Sequence, residues 1–414
     1  MRQLIFLTAA FLFLSSRGVA QTVLKGNVVE AGTVKPVAAA SVFISNSSTG
    51  TVTGETGNFV LGKLPAGKFT LVVSCIGYGT YVREIDLLHL PAQLVIELRH
   101  KSAELTEAVV AAHDKNGWIK WGDLFIEHFI GKSAWAGTCR IKNPKVLKFS
   151  NSYKDNILKV WADEPLLIEN RALGYIISYD LHAFSFNFLT NTVVYSGYAL
   201  FTEIAGGSNK AAARIRENRS RVYAVSLLHF MRSLYNNTSA GEGFRIVRTI
   251  NKTQGVLRPA EAVVPPYSGI EEYDTVYEIS NQRTLVNIIP SATARSRVTG
   301  VADDRLSIGN ILQQQEGKAV LYFADTLQVE CTKAGVPFEY LQYDVSARPG
   351  NIVSAMFLLQ PEPVTIFANG SYTAASNLGL TGFWAWWEKM AIMLPFDYQP
   401  EELTAGAVKT PAGN

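Results

Sequence analysis

Residues 50–78, GTVTGETGNFVLGKLPAGKFTLVVSCIGY, place a glycine or proline every few positions between short apolar runs. Two readings compete for such a stretch: a glycine-rich ligand loop, or the turns of a β-sandwich. A phosphate-cradling loop leads from a strand directly into a helix N-terminus, where free N–H groups and the helix dipole meet the anion. Here the glycines lead into strands instead. Phe59, Val60 and Leu61 follow Gly57-Asn58, while Phe69, Leu71, Val73 and Cys75 alternate with Thr70, Val72 and Ser74 after Pro65-Ala66-Gly67. Such alternation predicts a half-buried strand bounded by turns.

Outward from this stretch, Val23 to Val29, Ala40 to Ile44, Thr51 to Thr53, Tyr81 to Leu87 and Leu94 to Leu98 also read as short strands of β-formers. The total is about seven, spaced as in a small sandwich of two packed sheets. The positions Lys25-Gly26-Asn27-Val28, Pro36, Ala40-Ser41-Val42, Gly50-Thr51, Thr53, Gly57-Asn58-Phe59, Leu64-Pro65-Ala66-Gly67 and Ile76-Gly77-Tyr78 resemble the carboxypeptidase-regulatory-like domain. The resemblance covers residues 22 to about 100 and implies a transthyretin-like β-sandwich. It also implies the setting in which such domains occur, heading outer-membrane nutrient receptors and other outer-membrane or periplasmic proteins of Gram-negative bacteria. Leu105 to Val110 looks like the segment that joins such a domain to a receptor's plug, with Ala108 where valine is usual. The residues that follow show neither a plug nor the many alternating strands of a transmembrane barrel, so a receptor is not expected.

The N-terminus, MRQLIFLTAAFLFLSSRGVA, has an early cation at Arg2, an apolar stretch from Leu4 to Leu14 and small residues Gly18 and Ala20. This pattern predicts a secretory signal peptide over residues 1–20, cleaved after Ala20. Its apolar stretch is about half the ~20 residues a membrane-spanning helix needs. Hydrophobic residues make up 48% of the chain and charged residues 18%, with a mean hydropathy of +0.10. No later run is long and apolar enough to span a bilayer. The formal charge is +3, and loss of Arg2 and Arg17 leaves +1, which argues against a nucleic-acid partner. Cys75, Cys139 and Cys331 are too few for a disulfide framework. A Cys139–Cys331 bridge is one option, and buried free thiols are the expected state.

A zinc carboxypeptidase needs closely spaced His and Glu plus a distant His, so that three protein ligands leave one position open for water. The six histidines, His89, His100, His113, His128, His182 and His229, show neither H-x-x-E nor H-E-x-x-H spacing. They read as surface or core residues, with Glu127 and His128 pointing to different helix faces.

Beyond residue 113 the chain changes character. Trp118 to Gly131 has apolar residues at helical spacing and predicts an amphipathic packing helix. Val146 to Phe149, Leu158 to Ala162, Leu166 to Glu169, Gly174 to Phe188 and Val193 to Ile204 predict an antiparallel meander. Ala211 to Tyr235 predicts a helix with a solvated face of Arg214, Arg216, Arg219 and Arg221 and an apolar face of Val225, Leu228, Phe230 and Met231, preferred over a nucleic-acid or acidic-ligand helix because nothing aromatic interleaves the arginines. Ile270 to Leu285, Ser307 to Ile311, Ala319 to Glu330, Ile352 to Leu359 and Val364 to Ala368 read as further strands, with Asn369-Gly370 as a hairpin turn. Phe383-Trp384-Ala385-Trp386-Trp387 opens an expected core helix from Gly382 to Pro395, in which Phe383, Trp386, Met390 and Met393 face inward while Glu388 and Lys389 lie away. The competing reading of the tryptophans is a platform for sugar rings or a membrane foot.

Asn170-Arg171-Ala172-Leu173-Gly174-Tyr175, Gly243-Phe244, Asn369-Gly370 and Leu394-Pro395-Phe396-Asp397-Tyr398 resemble exported proteins in which the regulatory-like domain precedes an uncharacterised β-rich module. The expected organisation is a signal peptide over 1–20, a sandwich over 21–100, a linker over 101–117, a β-rich module over 118–398 and a tail over 399–414. The expected fold is mainly β, a seven-stranded transthyretin-like sandwich followed by a larger antiparallel module with a few helices. The chain shows no G-x-S-x-G elbow, no cysteine paired with a plausible His, no P-loop and no EF-hand. No catalytic, cofactor-binding or metal-binding residue is therefore assigned. The favoured function is a non-enzymatic periplasmic or outer-membrane-associated protein with a binding, docking or assembly role and envelope proteins as partners. The alternative is a peptide or glycan hydrolase with dispersed carboxylates, which need lie only within about 10 Å of each other in space.

Overall fold

The computed structural model describes residues 23–64, 68–86, 89, 93–101, 113–251, 285–288, 300–303, 308–373 and 375–400. The signal peptide, the Leu105–Val110 segment, the Pro65-Ala66-Gly67 turn, residues 401–414 of the tail and nearly all of the expected 270–285 strand lie outside these residues.

The N-terminal unit is a seven-stranded sandwich: β1 (Leu24–Glu30), β2 (Ser41–Ile44), β3 (Gly50–Val52), β4 (Asn58–Leu61), β5 (Lys68–Ser74), β6 (Tyr81–Asp86) and β7 (Leu94–Leu98). One sheet has the order β4-β1-β7 and the other β3-β2-β5-β6. All neighbours are antiparallel except β1 and β7. Leu24, Val28, Val42, Phe59, Leu71, Val73 and Ile96 fill the space between the sheets. Gly26 shows why the opening motif needs glycine. A Cβ there would lie 2.2 Å from Leu94 O and 2.6 Å from the Phe59 ring, so the parallel β1–β7 pair closes only over a bare backbone.

The stretch Phe69 to Ser74 departs from the half-buried strand expected of it. Thr70 and Val72, the alternate set, are as buried as Phe69, Leu71 and Val73. The sheet is covered on its outer face as well, by the second unit.

That unit is built on a twelve-stranded sheet. Its strands are β8 (Cys139–Ile141), β9 (Leu147–Ser152), β10 (Ile157–Ala162), β11 (Leu166–Asn170), β12 (Tyr175–Asn187), β13 (Thr192–Glu203), β14 (Phe244–Asn251), β15 (Leu285–Ile288), β16 (Gly300–Asp303), β19 (Thr326–Gly335), β20 (Asn351–Leu358) and β22 (Leu378–Gly382). The main path runs β16-β14-β19-β20-β22-β15-β13-β12-β10-β9, and β11 with β8 extends from β12. It is antiparallel apart from the β15–β22 pair. The strands β17 (Leu312–Gln315), β18 (Lys318–Leu321) and β21 (Val364–Ile366) form a small separate sheet. Two expected strands resolve differently: Ile308–Asn310 is a 3-10 turn ahead of β17, and the Ala319 to Glu330 run divides into β18 and β19.

Helices close the sheet. The first, α1 (Gly117–Phe129), lays Phe125, His128 and Phe129 onto it. The expected helix from Ala211 to Tyr235 is two, α2 (Asn209–Ala224) and α3 (Leu227–Tyr235), because Ser226 N-caps the second by accepting from His229 N–H at 3.1 Å. On α2 the arginine face is only partly solvated. Arg219 lies 3.9 Å over the Tyr175 ring and donates to Leu173 O at 2.8 Å. Among the described residues there are also the short helices α4 (Ser239–Glu242), α5 (Phe338–Tyr343) and α6 (Phe383–Trp387). All three cysteines are free thiols, Cys331 buried and Cys75 and Cys139 half-buried. Burial pushes the Cys139 thiol up to about 12, which leaves it protonated and unreactive.

The tryptophan cluster is buried, with Trp384, Trp386 and Trp387 all in the core. The helix is shorter than expected, however. It stops at Trp387 and a 3-10 turn follows at Met390–Ile392. Glu388 and Lys389, expected to lie away from the core, are 3% and 4% exposed. The break in the helix turns both inward.

Candidate functional site

Two places concentrate chemistry: the seam between the units and a small cavity at the C-terminal segment. The seam begins at the β2–β3 turn. Asn46 adopts the left-handed conformation, φ 56°. Its N–H donates to Ala199 O of β13 at 2.8 Å, and Phe201 N–H donates to Ser47 O at 2.9 Å, so Ser47 and Leu200 pair as a parallel bridge. The C-terminal stretch joins from the other side. Phe396 N–H donates to Asn46 O at 2.7 Å. The Asp397 carboxylate accepts from Ser48, at 2.9 and 3.1 Å from the N–H and at 2.5 Å from the hydroxyl. Beneath it the buried Arg232 guanidinium donates to Asn369 O at 3.1 Å, Phe396 O at 3.0 Å and Tyr398 O at 2.9 Å. A buried cation requires acceptors, and three backbone carbonyls supply them.

Apolar contact backs these bonds, with Phe43 and Val72 of the sandwich packing on Tyr198, and Val82 and Leu200 at their margin. A β-bulge between Leu181 and Ala183 breaks the β12 register at His182 and re-aims its side chain. The His182 Nε2 lies 3.5 Å from Asp180 Oδ2, and Thr80 of the sandwich donates to the same oxygen at 2.6 Å. Burial alone would raise the Asp180 carboxyl. The charge and hydrogen bond of His182, the Thr80 hydroxyl and the charge of Lys101 outweigh it and hold the group below its ordinary value. A hydroxyl, a histidine and an aspartate suggest a nucleophilic relay, but that chemistry places the imidazole between hydroxyl and carboxylate. Here the carboxylate stands between the other two, and the group works as a polar lock.

The cavity lies where the C-terminal segment docks on α1. Gly131 ends that helix with φ 103°, and a Cβ there would meet Lys389 Cβ at 2.9 Å, so glycine lets the segment approach. Ala391 N–H donates to Ile130 O at 3.1 Å, Asn170 donates to Ala391 O at 2.9 Å and the Tyr195 hydroxyl donates to Glu388 O at 3.2 Å. The Glu388 carboxylate accepts Leu227 N–H at 2.8 Å, an anion at the N-terminus of α3. Lys389 has no such arrangement. Burial pushes its amine down to about 7 against the raising effect of Glu388. Burial, with the Lys389 charge next, pushes His128 down to about 4, and its ring stacks on Phe186 at 4.6 Å. Of the carboxylates only Glu127 lines the cavity.

The remaining histidines are dispersed. His89 pairs with Asp86, His100 with Glu30 and His229 with Glu242. Among the described residues no group of three or more His, Cys, Asp or Glu could hold a metal ion, and no helix is long and apolar enough to cross a membrane.

Comparison with known proteins gives a result for the first unit only. No curated protein matches the chain. Among solved structures, a chain of a mutant type II cohesin–X-dockerin complex from Acetivibrio cellulolyticus is 23% identical over 18% of this chain, which spans about half (51%) of that one, with a TM-score of 0.15. A 9R-lipoxygenase from Cyanothece is 9% identical over 54% of this chain and 49% of its own, with a TM-score of 0.14. A protein of unknown function from Bacteroides fragilis, described as membrane-associated, is 11% identical over 87% of this chain and 94% of its own, with a TM-score of 0.16. At these scores the likenesses carry no argument. The CarboxypepD_reg-like domain family matches residues 24–110, which span all seven sandwich strands. The N-terminal unit of the chain is thus a CarboxypepD_reg-like domain, carried on a β-rich module of uncharacterised type.

Proposed function

We propose that the chain is a non-enzymatic exported protein of the periplasm or outer membrane with a binding, docking or assembly role, in which the sandwich is a rigidly mounted head that meets an envelope partner. The mounting supports this reading. The seam occupies the outer face of the β3-β2-β5-β6 sheet and leaves the β4-β1-β7 sheet facing outward, with Val60 56% and Val95 60% exposed and β7 as its terminal strand. Main-chain bonds, not a tether, fix the direction in which that face points. A rigid, outward sheet whose terminal strand β7 pairs with β1 alone among the described strands suits strand addition or face-on docking.

The test is site-specific photo-crosslinking of the full chain in its native envelope, with the reactive residue at Val60 or Val95 and, for comparison, at the exposed Val345 of the module. Discrete adducts from the sandwich positions and none from Val345 are expected. Absence of adducts at both sandwich positions would remove the docking role.

A further inference from the structure

His229 faces a hydrogen-bond acceptor from each of its ring nitrogens. Its Nδ1 lies 3.0 Å from Ala224 O at the end of α2, and its Nε2 lies 2.5 Å from Glu242 Oε2 on α4. The other Glu242 oxygen accepts from the Thr238 hydroxyl. A carbonyl and a carboxylate can only accept, so both ring contacts need an N–H, and a neutral imidazole has one. The assembled pair of His229 and Glu242 therefore holds one proton more than a neutral ring and a carboxylate apart, carried between Nε2 and Oε2. The His229 side chain is mostly enclosed, but a third of the Glu242 side chain reaches solvent, so this proton exchanges with bulk water without unfolding.

The same ring supports the seam. It stacks on Tyr223 at 4.6 Å, with Phe244 of β14 edge-on at 4.9 Å. Tyr223 in turn meets Tyr398 edge-on at 5.7 Å. Arg232, which donates to Phe396 O and Tyr398 O, lies 5.5 Å from the centre of the Tyr223 ring. His229, Tyr223, Arg232 and the stretch from Phe396 to Tyr398 thus form one chain of contacts that ends at Asn46 and Ser48 of the sandwich.

We propose that the His229–Glu242 pair is a proton-dependent latch on the head: while it holds its extra proton it clamps Tyr223 and the C-terminal stretch, and loss of that proton as pH rises frees both and loosens the seam. A contact that takes up a proton on assembly is favoured as pH falls and weakened as pH rises. The neighbouring groups do not supply the missing donor. Tyr223 presents its ring face to His229. Arg232 is turned to the Asn369, Phe396 and Tyr398 carbonyls, and Lys333 of β19 donates to Gly241 O at 2.7 Å.

In the full-chain protein, nitrogen NMR of the His229 ring reads the proton, and hydrogen exchange reads the seam, as protection of the Asn46 and Phe201 N–H groups relative to unstructured amides at the same pH. Both ring nitrogens are expected to be protonated near pH 6. As Nε2 loses its proton toward pH 9, protection at Asn46 and Phe201 is expected to fall about tenfold, the loss of one hydrogen bond to a charged group. The two curves are expected to share a midpoint while β1 keeps its protection. Glu242→Gln leaves an oxygen for Thr238 and offers Nε2 an N–H to accept, so the contact no longer needs the extra proton and the fall is expected to vanish. That variant keeps His182 and Asp180, and so separates any contribution of theirs. Deprotonation of the buried Lys389 stabilises the fold as pH rises, which acts in the opposite sense. A bare Nε2 near pH 6, protection that does not follow the titration of the ring, or a fall that Glu242→Gln retains would each overturn the latch.

Discussion

Replacing Lys389 with methionine should stabilise the protein, although it removes a charge. The amine is 4% exposed and its Nζ has no partner, so the substitution removes no hydrogen bond and keeps a chain of similar length. The folded protein holds the group at about 7 against an ordinary 10.5. At about 1.4 kcal/mol per unit, the cost of burying it approaches ~5 kcal/mol wherever both states are protonated, below neutrality. Between about pH 7 and 10.5 the unfolded chain binds a proton that the native one does not. Native stability therefore rises with pH across that window, and the cost falls by about 1.4 kcal/mol per pH unit until it disappears. Urea unfolding of wild type and Lys389→Met measures the difference near pH 6, 8 and 10. The expected gain is largest near pH 6, roughly 3 kcal/mol near pH 8 and small near pH 10. A variant less stable than wild type near pH 6, or a gain that does not change with pH, would refute the reasoning.

Other outcomes follow from the same contacts. The His128 imidazole, held at about 4, should titrate below pH 5 by NMR, and stability should fall with pH from about 6.5 toward 4 as the unfolded chain takes up a proton that the native chain refuses. Trp386→Ala should cost ~3–5 kcal/mol as a core cavity, and the wild type should show blue-shifted emission poorly quenched by acrylamide; a variant with unchanged Tm and a lost glycan or membrane partner would show that the ring is a surface platform. Asp397→Ala removes the acceptor for Ser48 and should speed hydrogen exchange at Asn46 and Phe201 while leaving β1 and β7 protected. A fragment of residues 22–100 should unfold cooperatively by itself, yet associate more than the full chain because Phe43 and Val72 lose their cover. Intact mass of envelope-purified protein should correspond to cleavage after Ala20, and retention of residues 1–20 would contradict the signal peptide.

The sandwich was legible because its strands repeat with period two and its turns need glycine at fixed places, as Gly57 shows with its φ of 74° and only 2.4 Å from an added Cβ to Val28 O. Local rules see one strand at a time. They assigned Thr70 and Val72 to a solvent face, since nothing nearby announces that β13 covers it. Glu388 and Lys389 illustrate the same limit at the site. Helical spacing from Phe383 and Trp386 puts them outside, but the helix stops at Trp387, Glu388 meets a helix N-terminus 161 residues away, and Lys389 is carried inward beside it. The Ser226 break was present in the sequence as an N-cap signal, and the long apolar periodicity across it concealed it.

The bond between Ser48 and Asp397 spans 349 residues. At ordinary rates of synthesis, ~5–20 residues per second, Asp397 follows Leu98, the last residue of the sandwich strands, by roughly 15–60 s. Over that interval the Asn46 carbonyl and the Ser48 N–H and hydroxyl wait for Phe396 and Asp397, whereas Phe43, Val72 and the Asn46 N–H wait only for Tyr198 and Ala199. The protein is therefore made head first and sealed by Leu394 to Tyr398, and whatever receives the nascent chain has to shield the Asn46–Ser48 turn until they arrive. A chain ended short of Phe396 would complete the sandwich core, take Phe396 from the core of the second unit and leave the joint between them open.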